Sequence, residues 1–214
     1  MNKRCLADVD VLIHLGFARP YLGEGEIAKS LEMTRVLFEK AYQSNISSVI
    51  NISSRSVYGN APQPWTEQSQ DNPVTAYGKA KFESEKLLQK LGEIKPEVKS
   101  CSLRLCTVTG AQSPEMDMYV VNKFASLAAQ GEPLNVSGRQ QEIEFLNVQD
   151  ATSAILKMMD LEREKCKPIY NVGPNQPYTL EMIANTCIKE AAYLNQEVVS
   201  KVYFNEISKA LNFC

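Results

Sequence analysis

The sequence predicts an α/β protein, a parallel sheet flanked by helices. Two observations carry this. Short apolar runs of strand length alternate with longer stretches of helical periodicity, the pattern of βαβ units. The first of these runs is apolar almost throughout, as expected of a strand buried on both faces.

Val9 to Phe17 is that run. Ile27 to Gln43 places Ile27, Leu31, Val36, Leu37 and Ala41 at helical spacing, with Glu26 near the positive end of the helix. Ser48 to Ser53 reads as the next strand. Gly59 to Asn72, with Pro62 and Pro64, reads as a loop. Thr75 to Leu91 reads as a helix capped by Gly92, and Lys99 to Val108 as a strand. Met116 to Gln130 is a further helix, closed by Gly131-Glu132-Pro133. Asn147 to Asp150 leads into a helix over Ala151 to Leu161, and Pro168 to Val172 is a short strand. Thr179 starts the last helix, with Glu181 and Glu190 outward and Met182, Ile183 and Ile188 inward.

The 214 residues suffice for one large or two small domains, and apolar and charged contents of 44% and 22% suit a soluble globular chain. A net charge of −2 without a basic block gives no support to nucleic-acid or membrane-surface binding. No apolar run approaches the ~20 residues that span a bilayer. Six cysteines without a Cys-x-x-Cys pair, and a single histidine, His14, offer no local metal site. Free thiols suggest a reducing, cytoplasmic location. His14 reads as a structural residue at a strand end, Asn171 and Gly173 as turn residues, and Tyr58 as core or rim.

Tyr77 and Lys81 are the chemical candidates. Residues i and i+4 share a helix face, so phenol and ammonium can sit side by side. A nearby cation favours phenolate, and a serine hydroxyl from Ser53-Ser54-Arg55-Ser56 could orient a substrate oxygen. Ser54 follows one strand and Thr107 ends the next, where parallel sheets bind ligands.

In order and spacing, several segments resemble the extended short-chain dehydrogenase/reductase family, the NAD-dependent sugar epimerase/dehydratase group. Asp10 to Leu15 is similar to its fourth strand, and Val49 to Gly59 to its Ser-Ser-x-x-Val-Tyr-Gly segment. Ala76 to Leu88 resembles its Tyr-x-x-x-Lys helix. Leu103-Arg104, Gly131 to Leu134 and Ile169 to Gly173 match later landmarks.

The resemblance implies a Rossmann-like sheet and NAD or NADP as cofactor. It implies a nucleotide-linked sugar as substrate. It assigns Tyr77 as acid/base, assisted by Lys81 and Ser54. Gly16, Phe17, Ala18, Ser53, Tyr77, Lys81 and Leu105 fall at cofactor positions, and Ser56 and Thr107 at substrate positions. The Ile27–Gln43 and Thr75–Leu91 helices would form a homodimer interface. Residues 1–110 would form a partial nucleotide-binding domain, and 111–214 a partial substrate region interleaved with the last sheet strands.

The sequence also departs from the family. Two strand–helix units, on the order of 60 residues, including the Gly-rich turn for the pyrophosphate, are expected to be missing. Gly23-Glu24-Gly25-Glu26-Ile27-Ala28 matches Gly-x-Gly-x-x-Ala, but Glu24 and Glu26 would repel phosphate, so it reads as a helix entry. Ile143-Glu144-Phe145 stands where the family often has a phosphate-clamping arginine, with Arg139, Gln140 or Gln141 as substitutes. Arg55 and Ser56 replace the dehydratase Asp-Glu. Leu105, Thr107 and Thr109 replace proline, asparagine and tyrosine, and Ser208 to Leu211 resembles a late Lys-Ala segment. The alternative expectation is a truncated, catalytically silent homologue or a partner subunit associating through its helices.

Overall fold

The computed structural model describes residues 6, 8–110, 120–197 and 199–205. They fall into two compact units, one from the described parts of Met1–Cys106 and Gln149–Val172, the other from those of Thr107–Val148 and Gly173–Phe213. The Ser208–Leu211 segment and the start of the expected Met116–Gln130 helix lie outside the described residues.

The first unit is built on a four-stranded sheet in the order β1 (Val11–His14), β2 (Ser48–Ser54), β3 (Lys99–Leu105), β8 (Ile169–Val172), all parallel. Helix α1 (Glu24–Tyr42) joins β1 to β2, and α2 (Ala76–Ile94) joins β2 to β3. Both helices cover one face, where Phe38, Ala41, Tyr42 and Leu88 pack on Val49. Helix α4 (Val148–Asp160) lies on the other face, with Met158 against Ile50, Ile52, Cys101 and Leu103. The period of two along a strand explains the split. Ile50 and Ile52 point to α4, which leaves Asn51 and Ser53 on the α2 side.

The α2 side changes character along the strands. At the N-terminal end of β2 it is apolar. Farther along, Asn51, Ser53, Ser102 and Arg104 are all buried there, and each has a polar partner. Buried polar groups need such partners, so this end of the helix–sheet contact is tied by hydrogen bonds.

Two boundaries and one burial differ from expectation, and the helix entry at Gly23 agrees with it. Gly92 does not end α2, which continues to Ile94 before Pro96. A β-carbon at Gly92 would stand 2.7 Å from the Ser100 Oγ, so the residue serves close helix–strand packing. The expected strand Lys99–Val108 breaks at Cys106, and its second part, β4 (Thr107–Thr109), pairs with β7 (Phe145–Asn147) in the second unit. Met182 is half exposed rather than inward. Gly25 lies inside α1, whose N-cap is Gly23 and whose first turn holds Glu24 and Glu26, so the Gly-x-Gly segment is a helix entry.

Among the described residues, the second unit has three strand pairs. They are β4 with β7, β5 (Leu134–Ser137) with β10 (Val202–Asn205), and β6 (Glu142–Ile143) antiparallel to β9 (Tyr178–Thr179). Helices α3 (Val120–Ala129) and α5 (Leu180–Leu194) pack together on β5 through Phe124, Ala128, Ile183 and Ala184. The Thr179 hydroxyl accepts from the Met182 N–H and caps α5.

Candidate active site

The chemistry-bearing residues of the first unit gather beyond the C-terminal ends of β1, β2 and β3. Ser54 is the last residue of β2 and lies opposite Leu105, the last of β3. The chain then forms a single tight turn, Arg55–Val57, which Ser54 caps by accepting the Ser56 N–H at 3.2 Å.

The start of α2 is pressed onto this turn. Thr75 caps the helix by accepting the Gly78 N–H at 3.0 Å. A β-carbon at Gly78 would meet the Ser56 carbonyl oxygen at 2.6 Å. Only glycine lets the helix come this close, and the approach sets Tyr77 one residue away from the Ser54–Ser56 turn.

Lys81 is 3% exposed. Its Nζ donates to the Ile52 carbonyl at 2.8 Å. It also lies 4.2 Å from the centroid of the Phe17 ring and 5.7 Å from that of Tyr77. The Phe17 and Tyr77 rings meet edge to face at 6.0 Å. The ammonium thus sits under an aromatic pair, with the half-buried phenol beside it. Burial pulls its pKa down from 10.5 to about 8, with the Glu85 charge opposing the shift. An ammonium has three donors. One engages Ile52.

Below Lys81 the helix is tied to the sheet. Ser84 accepts from Asn51 at 3.2 Å and donates to the Lys81 carbonyl. Asn51 also donates to Ser102 at 3.2 Å. The Asn51 oxygen lies 3.3 Å from His14 Nδ1, and the Thr34 hydroxyl, which donates to the Ser30 carbonyl at 2.8 Å, lies 3.2 Å from His14 Nε2. Burial lowers the His14 pKa, with the Asn51 hydrogen bond opposing and the Lys81 charge adding, which favours the neutral ring. One turn beyond Lys81, Glu85 accepts from the Ser53 hydroxyl and from Arg104, whose Nε and Nη2 approach it at 3.0 and 2.6 Å. Arg104 is 1% exposed, pairs also with Asp71 at 2.8 Å, and lies 4.7 Å from the Tyr58 ring centroid.

The structure therefore brings Phe17, Ser54, Tyr77, Lys81 and Leu105 to one end of one unit. Gly16 is exposed there, and the Ala18 N–H is engaged by the Ser30 hydroxyl at 3.0 Å. The Ser53 side chain turns inward to Glu85. The Ser56 hydroxyl is buried without a protein partner. Thr107 belongs to the second unit, on β4. Arg139 is ion-paired with Glu181 and Gln140 approaches the same carboxylate, so this cation is already neutralised. Tyr58 is core, donating to Asn171 at 2.7 Å and stacked on Trp65.

Sequence reasoning missed the Glu85–Arg104–Asp71 cluster. Its signals were present: Arg104 stands between two leucines near the end of its strand, and Glu85 follows Lys81 at the same i+4 spacing that joins Lys81 to Tyr77. The buried Lys81 donor and the Tyr77 phenol suit the ribose and nicotinamide end of a dinucleotide, whose hydroxyls and amide they would hold. The described residues do not suit its pyrophosphate at Gly23–Gly25, where Glu24 and Glu26 occupy the first turn.

A model of the NAD dependent epimerase/dehydratase family matches residues 3–173. The chain is 29% identical over 196 residues to an uncharacterized protein of Methanocaldococcus jannaschii, covering 86% of this chain and 59% of that one. It is 27% identical over 178 residues to a dTDP-D-glucose 4,6-dehydratase of Mus musculus, covering 82% and 48%. The chain thus spans about half to three-fifths of the length of these curated relatives. Among solved structures it resembles the UDP-N-acetylglucosamine 4-epimerase of Bacillus cereus, with a TM-score of 0.78 at 25% identity over 95% of this chain and 68% of that one.

Two outcomes follow from the buried charges. Arg104→Met and Glu85→Gln should each destabilise the protein by about 3–5 kcal/mol, since each strands a buried partner, and the double variant should lose less than their sum. Urea unfolding of the four proteins measures this, and additive losses would mean the pair is not coupled. Lys81 pays its desolvation cost in full below pH 8. That cost fades as pH rises through its folded pKa towards 10.5, where the unfolded chain also loses the proton. Stability of the wild type relative to Lys81→Met should therefore rise by about 3 kcal/mol across that window. A flat difference curve in denaturant unfolding would refute the buried charge.

Proposed function

The chain belongs to the NAD dependent epimerase/dehydratase family, and from that premise we propose that it serves NAD-dependent conversion of a nucleotide-linked sugar, with Tyr77 as acid/base. The observation that carries this reading is the buried Lys81 ammonium beside the half-buried Tyr77 phenol, at the strand ends where ligands meet parallel sheets. The cofactor, when bound, supplies a hydride acceptor. Lys81, while charged, favours the phenolate, and Tyr77 takes the proton of a sugar hydroxyl. Ser54 orients that oxygen. Lys81 also offers donors to the nicotinamide ribose, with Gly16, Phe17, Ala18 and Leu105 lining the approach. Ser56, whose hydroxyl lacks a protein partner, contacts the sugar. Cys101, Cys106, Cys166 and Cys187, none of them in a disulfide, support a reducing, cytoplasmic setting.

The test incubates the chain with NAD and UDP-N-acetylglucosamine and follows the sugar epimers by chromatography. Turnover is expected, with a loss of at least ~10²-fold in Tyr77→Phe at unchanged circular dichroism. A fully active Tyr77→Phe would remove the residue from the mechanism. Absence of turnover in the wild type, with no NAD binding by calorimetry, would favour a catalytically silent homologue.

A second reading concerns association. Met33 and Val36 on α1 are 73% and 38% exposed, and Ile94 on α2 is 67% exposed. Apolar exposure on the helices expected to form a dimer supports pairing of two copies there. Analytical ultracentrifugation should find a dimer that Met33→Glu shifts to monomer. A monomeric wild type would end this reading.

A further inference from the structure

Cys101 and Cys166 lie away from the candidate active site, on the α4 face of the sheet. Cys101 is in the middle of β3 and is 2% exposed. Cys166 follows the short Arg163–Lys165 turn and is half-buried. The neighbouring pairing of Ser102 with Ile169, and the Ser102 N–H donation to the Pro168 carbonyl at 2.8 Å, bring the two chain segments together. The Cys166 sulfur lies 3.9 Å from the Ser100 carbonyl, adjacent to Cys101 in the chain. Both side chains pack in the cluster that includes Ile50, Leu103 and Met158. Other groups around them are Lys99 and Tyr170. Lys99 reaches over the end of α4 to donate to the carbonyls of Met158, Met159 and Leu161 at 2.9, 2.7 and 2.8 Å. The Tyr170 hydroxyl accepts the Lys167 N–H at 2.8 Å.

We propose that Cys101 and Cys166 form a dithiol modification site that reacts with hydrogen peroxide and closes into a disulfide. The asymmetry of the pair supports it. Cys166 is the more accessible sulfur. The Cys101 thiol donates to it, and the Lys99 charge and a Tyr170 hydrogen bond act in the same direction against its burial, bringing its pKa down to about 7. The same hydrogen bond, with burial, pushes Cys101 up. Cys166 is thus the attacking thiolate and Cys101 the resolving thiol.

The chemistry balances without any other reagent. The Cys166 thiolate attacks one peroxide oxygen, the O–O bond breaks, and the departing hydroxide takes a proton to leave as water. Cys166 is then a sulfenic acid. The Cys101 sulfur attacks the Cys166 sulfur, the S–S bond forms, and the S–O bond breaks. The second water leaves with the Cys101 proton. Two thiols are oxidised by two electrons, and one peroxide is reduced to two waters. The product ties β3 to the segment before β8, closing a long loop of chain, so the oxidised protein should melt higher than the reduced one.

The test treats the full chain with hydrogen peroxide, quenches with iodoacetamide and digests with trypsin and a glutamate-specific protease. Cleavage after Lys99, Arg104, Lys165 and Glu181 isolates Cys101 from Cys106 and Cys166 from Cys187. The expected result is a reducible cross-link between residues 100–104 and 166–181, formed from the wild type alone. In Cys101→Ser, the expected product is Cys166 sulfenic acid, captured by dimedone. Wild-type protein that gives no such cross-link, or that joins Cys166 to another cysteine instead, would overturn the proposal. Because the mapping on the wild type decides it, the result does not depend on how well either variant folds. Neither cysteine belongs to the proposed catalytic group, so the test stands apart from the sugar chemistry.

Discussion

The ion pair between Arg104 and Glu85 is the constraint on which the geometry of the first unit rests. Both side chains are almost completely removed from water. An isolated charge there would be costly, so the fold must deliver each partner to the other. Meeting that demand fixes three elements at once. Glu85 belongs to α2, Arg104 to β3, and Asp71, the second carboxylate on Arg104, to the loop before α2. Ser53 on β2 adds its hydroxyl to Glu85. Lys81 and Tyr77 lie one and two turns earlier on the same helix, so their position over the strand ends is inherited from this pair.

The same demand orders the long loop between β2 and α2. A segment rich in proline and polar residues would have little apolar area with which to hold itself down. It is held by specific contacts instead. Asp71 meets Arg104, Trp65 stacks on Tyr58 at 5.3 Å, and Glu67 accepts the Asn171 N–H at 2.8 Å. Gly59 allows the turn that starts it. Its φ is +51°, and a β-carbon there would stand 1.9 Å from the Asn72 carbonyl oxygen. Tyr58 links these contacts, since it stacks on Trp65, lies against Arg104 and donates to Asn171.

The sequence made the order of elements legible because helix and strand periodicities differ, and both were strong in the first unit. It was less informative wherever a residue served a neighbour rather than its own element. Gly92 looked like a helix end, yet it exists to let α2 touch Ser100. Lys99 to Val108 looked like one strand, since nothing local marks Cys106 as the point where the chain changes sheet. Met182 looked inward by periodicity, but the second unit buries a different stripe of α5. Of the site, Tyr77, Lys81 and Ser54 were legible through spacing and motif order. The charges that position them were not, because Glu85 and Arg104 are 19 residues apart in sequence and meet only across the helix–sheet contact.

This arrangement divides the site into a fixed part and an open part. Lys81, Ser53, Asn51 and Glu85 are buried and tied to backbone or to one another. Tyr77, Ser54 and Ser56 are only half-buried, and the Tyr77 ring lies beside the ammonium. Such a division suits proton transfer, because the charge that biases the phenol must not move while the phenol meets a ligand. A lysine on a solvated helix face would be screened and mobile. Here Phe17 covers the ammonium and the Ile52 carbonyl holds it, so its field is directed at the neighbouring ring. The cost appears in the lowered pKa of Lys81, and the hydrogen-bonded contact between α2 and the sheet is what lets the fold sustain it.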